Sequence, residues 1–178
     1  MRLIIVGHAR HGKDTVGGLF TKLGGYNWAS SSYVAADKVV RPYLKKFYSI
    51  EYDTVDECFI DRINHRAAWY DAITAYNTPD KTKLAQDIFA ENDIYVGLRN
   101  KKELWAIKTA GIVDHVIWVD ALDRLPPEPA SSMSIEPWMA DYHIDNNGTI
   151  EETEFNVMRL LERFHKESVK EFVSNLLG

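Results

Sequence analysis

Four apolar residues in succession, Leu3, Ile4, Ile5 and Val6, are cut off at once by Gly7 and His8. A short β-branched run bounded by glycine predicts a central parallel strand covered on both faces. A helical pattern follows from about Lys13 to Leu23 and stops at Gly24-Gly25,. "YNWASSS" (26–32) predicts a second strand on a weaker signal. From Ala36 to Tyr48 the spacing is helical around Pro42, whose ring either starts a turn or kinks the helix,. "TVDE" (54–57) is a capping box that opens one long helix to about Tyr76, with Cys58, Ile60, Ile63, Ala67 and Tyr70 facing inward,. Another helix is expected from about Asp80 to Glu91.

The strand signal returns in "DIYVGLR" (93–99), "HVIWVD" (115–120) and "DYHIDNNGT" (141–149),. "NKKE" (100–103) gives a helix to Gly111 an Asn N-cap with Glu at its third position, and "TIEE" (149–152) caps a C-terminal helix,. Pro126, Pro127, Pro129 and Pro137 make 121–140 an irregular segment, either a mobile lid or a covering loop,. Strands alternating with helices imply a three-layer α/β fold, a parallel five-stranded sheet with helices on both faces. The helix-rich stretch 36–91 reads as an insertion beside it.

Composition narrows the picture. A chain of 178 residues with 46% hydrophobic content fits one domain,. A net charge of −5 argues against a protein that coats nucleic acid through bulk positive charge, though a local basic cleft remains open,. The single cysteine, Cys58, suits a small core side chain and a reducing compartment,. The apolar run at 3–6 is too short for a signal peptide or a membrane span, so a cytoplasmic protein is expected. There is no His and Cys metal-ligand pattern and no Gly-x-Ser-x-Gly elbow, which removes zinc and serine-hydrolase chemistry,.

Chemistry concentrates in "GHARHGKDT" (7–15), directly between predicted strand and helix. In a phosphate loop consecutive backbone N–H groups converge on an anion and the helix N-terminus adds positive potential. Gly7 and Gly12 let the backbone wrap a β-phosphate, and Lys13 supplies a cation for the β- and γ-phosphates of ATP. Arg10 either touches phosphate or is solvated. Asp14 stands where Ser or Thr normally meets Mg²⁺. It either holds hydrated magnesium through water, with the Thr15 hydroxyl one residue on, or only favours the first helical turn.

With "GKDT" the chain resembles the phage-type deoxynucleoside monophosphate kinases, a P-loop group that also includes similar 5-hydroxymethyluracil DNA kinases. "AADKVV" (35–40), "YVGLRNKKE" (95–103) and "ADYHIDNNGTIEE" (140–152) are similar to further segments of that family, in the same order. The resemblance implies a P-loop kinase fold in which 36–91 binds the acceptor and 121–140 is the lid. It implies ATP and Mg²⁺ as cofactors, a deoxynucleoside monophosphate as substrate, and the cytoplasm of a phage-infected host. Two departures stand out: Gly97 replaces an aspartate common in the family, and Val39 falls near its proline. Metal positioning is then open among Asp14, Asp37 and Asp120.

By the same resemblance Arg99 approaches the acceptor phosphate, or else forms a surface ion pair with Glu103; Asp37 and Arg41 face the acceptor, or Asp37 only caps its helix; and Arg124 is the lid arginine that neutralises transferring charge, or a structural salt bridge. Asn146, Asn147 and Gly148 form the turn that contacts adenine, or an ordinary turn before a helix. Arg62 and Arg66, one helical turn apart, either grip a phosphate or form a solvated face. Trp69 and Tyr70 beside them either pack or stack on an acceptor base. Three functions stay in play: a deoxynucleoside monophosphate kinase, a kinase acting on hydroxymethyluracil in DNA with Asp37 as proton acceptor, and a nucleotide-binding module without transfer. Pairing of subunits into a homodimer is left open.

Overall fold

Strands β1 (Leu3–Val6), β2 (Trp28–Ser30), β3 (Ile94–Val96), β4 (His115–Asp120) and β5 (Tyr142–Asp145) pair side by side in the order β2-β3-β1-β4-β5, with every pairing parallel. The computed structural model describes residues 1–177. All four residues of β1 have no exposed surface, because the strand is flanked by β3 and β4 and covered on both faces. Alternation splits its side chains between two cores. Leu3 and Ile5 join Ile94, Val96, Ile117 and Val119 under α1 (Lys13–Gly24) and α8 (Ile150–Leu177). Ile4 and Val6 join Tyr95, Val116 and Trp118 on the opposite face.

That second face is covered by α7 (Lys101–Thr109) and by helices inserted between β2 and β3. These are α2 (Ser31–Ala35), α3 (Arg41–Tyr48), α4 (Val55–Ile60), α5 (Arg66–Asn77) and α6 (Lys83–Phe89). The result is the expected three-layer α/β arrangement. A wide helical turn, Ala36–Val40, joins α2 to α3 without a break in helical backbone, and this widened turn stands just before Pro42, which has no N–H to donate,.

One expectation fails. The Thr54 and Glu57 capping box forms, but the helix it opens ends at Ile60. A short turn, Asp61–Ile63, and a break at His65 restart the chain as α5 in a new phase. The Asp61 carboxylate, which takes the Tyr52 hydroxyl and the Asn64 amide, holds this corner. Ile60, Ile63 and Tyr70 are therefore exposed, as is Ala67, while Ala68, Trp69 and Ala72 face the core. Cys58 is buried as expected, and burial raises its thiol above the usual range.

The re-phased α5 is testable by urea denaturation. Trp69→Ala should cost about 3–5 kcal/mol, whereas Tyr70→Ala should stay within about 0.5 kcal/mol. Similar losses for the two would restore a continuous helix.

Candidate functional site

The carboxyl ends of the strands gather the loops that carry polar chemistry, as open parallel sheets do. Leaving β1, Gly7 turns at φ 145°, and a Cβ there would sit 2.5 Å from the Val119 carbonyl oxygen. Gly12 turns at φ 90° beneath the Asn146 amide, 2.2 Å from where a Cβ would stand. Between them even Arg10 adopts a left-handed φ of 64°. Such turns aim successive amides into one concavity, and α1 begins immediately behind it,.

The concavity is braced from outside. Asn146, 8% exposed, donates from Nδ2 to the His11 carbonyl at 2.9 Å and accepts the Thr153 hydroxyl at 2.6 Å. The wholly buried His11 accepts the Ala121 N–H on Nδ1 at 3.1 Å, while its Nε2 has no partner among the described residues. His8 packs edge-on against Trp118, and burial followed by the nearby His11 lowers its pKa. A neutral His8 suits its hydrogen bond, in which Nδ1 accepts the Glu128 N–H at 3.2 Å.

Glu128 also reaches into the loop with its side chain. Its Oε2 accepts the Ala9 N–H at 2.6 Å and its Oε1 accepts Arg99 at 2.5 Å. Burial opposes the charge, yet Arg99, the Ala9 amide and Lys13 together hold the carboxyl below its usual range. Lys13 donates to the His8 carbonyl at 2.6 Å. Its own pKa is pushed down to about 8, first by burial and then by Arg99, with Glu128 and Asp14 pulling the other way. The loop thus already grips an anion, a carboxylate of the chain itself.

Beyond the loop opens a cleft of about 930 Å³. Six cations line it, Arg10, Lys13, Arg62, Arg99, Lys101 and Lys102, against only two acids, Asp14 and Glu103. Ser30, Ser31 and Ser32 add hydroxyls on one side, and Ser131, Ser132 and Ser134 on another. The 121–140 segment packs over the Arg99 loop: Ser134 N donates to the Arg99 carbonyl and Lys101 N to the Ser134 hydroxyl. Its apolar residues Met133, Ile135 and Met139 are buried.

Among the residues singled out from sequence, Gly7, Gly12, Lys13, Asp14, Arg10 and Arg99 meet at the loop or the adjoining cleft wall. Thr15 is exposed in the first turn of α1. Arg62 lines the cleft with its guanidinium 4.0 Å from the centre of the Phe59 ring. Arg66 is not its partner on one helix; it opens α5 across the break. Trp69 is 7% exposed within the core and does not line the cleft, whereas Tyr70 does. Asp37 lies outside the cleft lining, its carboxylate 3.2 Å from Arg41. Arg41 also donates to the Tyr52 and Asp53 carbonyls, which ties both to the α3–α4 connection.

Arg124 bonds the Asn146 carbonyl and so fixes the turn after β5 rather than reaching over the cleft. Asn147 accepts the Asp123 N–H and donates to Asp145; Gly148 lies against the Glu152 carboxylate of the Thr149 capping box. Asp120 accepts the Leu122 N–H, 4.0 Å from His11. Sequence reasoning missed Glu128, Lys101, Lys102 and the flanking serines. The signal for Glu128 was "PPEPA": one acid among three prolines, whose fixed φ lowers the entropy lost in holding it,.

No family model matches the chain, and no curated protein matches it. Among solved structures it is similar to TT1252 from Thermus thermophilus, at 17% identity over 92% of this chain and 97% of that one, with a TM-score of 0.51. It is also similar to shikimate kinase from Aquifex aeolicus vf5, at 15% identity over 95% and 99% with a TM-score of 0.47, and to a gluconokinase from Sinorhizobium meliloti 1021, at 15% over 94% and 97% with a TM-score of 0.43. These likenesses concern the fold alone.

Glu128→Gln removes the charge that competes for Ala9, Arg99 and Lys13. Tripolyphosphate should then bind the variant several-fold more tightly than the wild type by calorimetry; unchanged or weaker binding would show that Glu128 does not occupy the anion position. Lys13 gives a separate signature. It is a cation below about 8 and neutral above, so affinity should fall as pH rises through that value. Near it, binding should take up a proton, detectable from the dependence of the calorimetric heat on buffer.

Proposed function

We propose that the protein is a P-loop phosphotransferase that moves the γ-phosphoryl group of ATP to a deoxynucleoside monophosphate. The observation that carries this reading is the capture of Glu128 by the loop: a carboxylate held by a backbone amide and Arg99, with Lys13 close by, marks where a phosphate belongs. The cleft lining also carries Arg62, Lys101 and Lys102 together with apolar Phe59, Ile73 and Leu84. Cations next to apolar walls suit an acceptor that carries both a phosphate and a flat base.

ATP supplies the phosphoryl group. The loop amides and Lys13 bind its phosphate tail, and Arg99, standing between loop and cleft, neutralises charge that builds on the group in transfer. Asp14, exposed at the cleft, and Thr15 behind it are the residues available to hold Mg²⁺ through its water shell, a mode that needs few protein ligands,. An acceptor phosphate is already ionised, so positioning and charge neutralisation suffice. The alternative, a hydroxymethyl group in DNA, is a neutral alcohol and calls for a carboxylate to take its proton. Asp37, the candidate for that role, is held by Arg41 outside the cleft lining.

Incubation with γ-labelled ATP and each deoxynucleoside monophosphate, or with hydroxymethyluracil-containing DNA, tests this. Label should appear in a nucleoside diphosphate, and Lys13→Ala should lower kcat/KM by about 100-fold or more. Label in DNA alone would assign the alternative acceptor, and label in neither would leave a binding module.

A further inference from the structure

One stretch of the cleft lining carries polar groups that make few hydrogen bonds among the described residues. Tyr95, on β3, is 2% exposed, and its hydroxyl makes no hydrogen bond within the described residues although the side chain lines the cleft. Glu103, on α7, lines the same wall half-buried without an ion pair among the described residues, and Asn77 lies close enough to its carboxyl to favour the charged form. The Asn100 cap uses only its own side chain, on Lys102 N, so Glu103 does not fold back to close a capping box. Behind Glu103, Asn77 is 3% exposed; its Oδ1 accepts the Leu84 N–H, but its Nδ2 has no partner. Burial raises the Glu103 carboxyl above its ordinary range, with Asn77 and Lys81 offsetting part of the effect.

Asn77 Nδ2 is the buried polar atom without a partner here, while the Glu103 carboxyl and the Tyr95 hydroxyl line the cleft with hydrogen-bonding capacity that the described residues leave open to a ligand,. Tyr70, Ile73 and Leu84 frame the spot with apolar surface. An ionised carboxylate accepts on both oxygens, while the phenol and the amide nitrogen donate. Two adjacent donors beside an acceptor is the pattern of the guanine edge, whose 2-amino group, N1–H and 6-carbonyl stand in a row. Thymine presents a single N–H between two carbonyl oxygens, which a carboxylate repels. Cytosine and adenine each set a bare ring nitrogen beside one amino group.

We propose that this stretch of the cleft lining reads the 2-amino-6-oxopurine edge of the acceptor, with Glu103 accepting from its ring N–H and amino group and Tyr95 donating to its carbonyl. This rests on the reading of the cleft as the acceptor site and names the acceptor: a deoxyguanosine monophosphate class nucleotide. Asn77 is a positioning residue, holding Glu103 toward the cleft.

Calorimetry with the full chain tests it without relying on transfer. The wild type should bind dGMP at least about 10-fold more tightly than dAMP, dCMP, dTMP or dIMP, the last lacking only the 2-amino group. Glu103→Gln should lose about 10-fold or more on dGMP and less on dIMP, which keeps the ring N–H but lacks the amino group, while its affinity for tripolyphosphate is kept, and Tyr95→Phe should weaken dGMP and dIMP alike. Retained tripolyphosphate binding also reports that each variant is folded. A preference for another base, or a Glu103→Gln loss equal for all nucleotides, overturns the proposal. Phosphoryl transfer to dTMP that ignores Glu103→Gln would leave the kinase reading standing and remove the base site. Glu103-dependent dGMP binding with no transfer to any acceptor would do the reverse.

Discussion

A turn that directs several amide hydrogens at one point repels itself and gains nothing by its shape unless something outside holds it. In this protein the holding is done by Asn146 and His11. One amide bridges the His11 carbonyl and the Thr153 hydroxyl, and one imidazole anchors the loop to Ala121. The partial positive charge so assembled draws in Glu128, and through Glu128 the 121–140 segment is tied down. Loop, closing segment and cleft mouth are in this sense one electrostatic unit.

The separation of charge follows from the same constraint. The chain is acidic overall, yet the cleft is lined by six cations and two acids. Acids elsewhere in the chain carry the net negative charge, while low-dielectric walls concentrate the positive field inside the cleft,. Lys13 feels the cost, since burial beside Arg99 weakens its hold on a proton.

The sheet was legible because a β-branched run ended by glycine has few other fates, and β1, β4 and β5 lie where hydrophobic runs and turns put them. The loop was legible because its glycines and lysine sit between strand and helix. What failed is instructive. A periodic pattern over 54–76 carries no mark of a phase change, and the Asp61 contacts that break it join side chains whose meeting depends on the folded corner. Asp37 with Arg41, and Arg124 with Asn146, are likewise pairings decided by tertiary position. Glu103 fitted a capping pattern and so passed as structural, although the cap leaves its carboxylate to the cleft.

The bonds that brace the loop span 110 and 135 residues along the chain. Local helices form early and pairings of such high separation late, since closing long segments costs entropy before any contact rewards it. A nascent chain emerging from the ribosome therefore carries its glycine-rich turn as unstructured backbone until β4 and the start of α8 have been synthesised. The braced anion cradle is an attribute of the finished molecule, acquired among the last events of its folding.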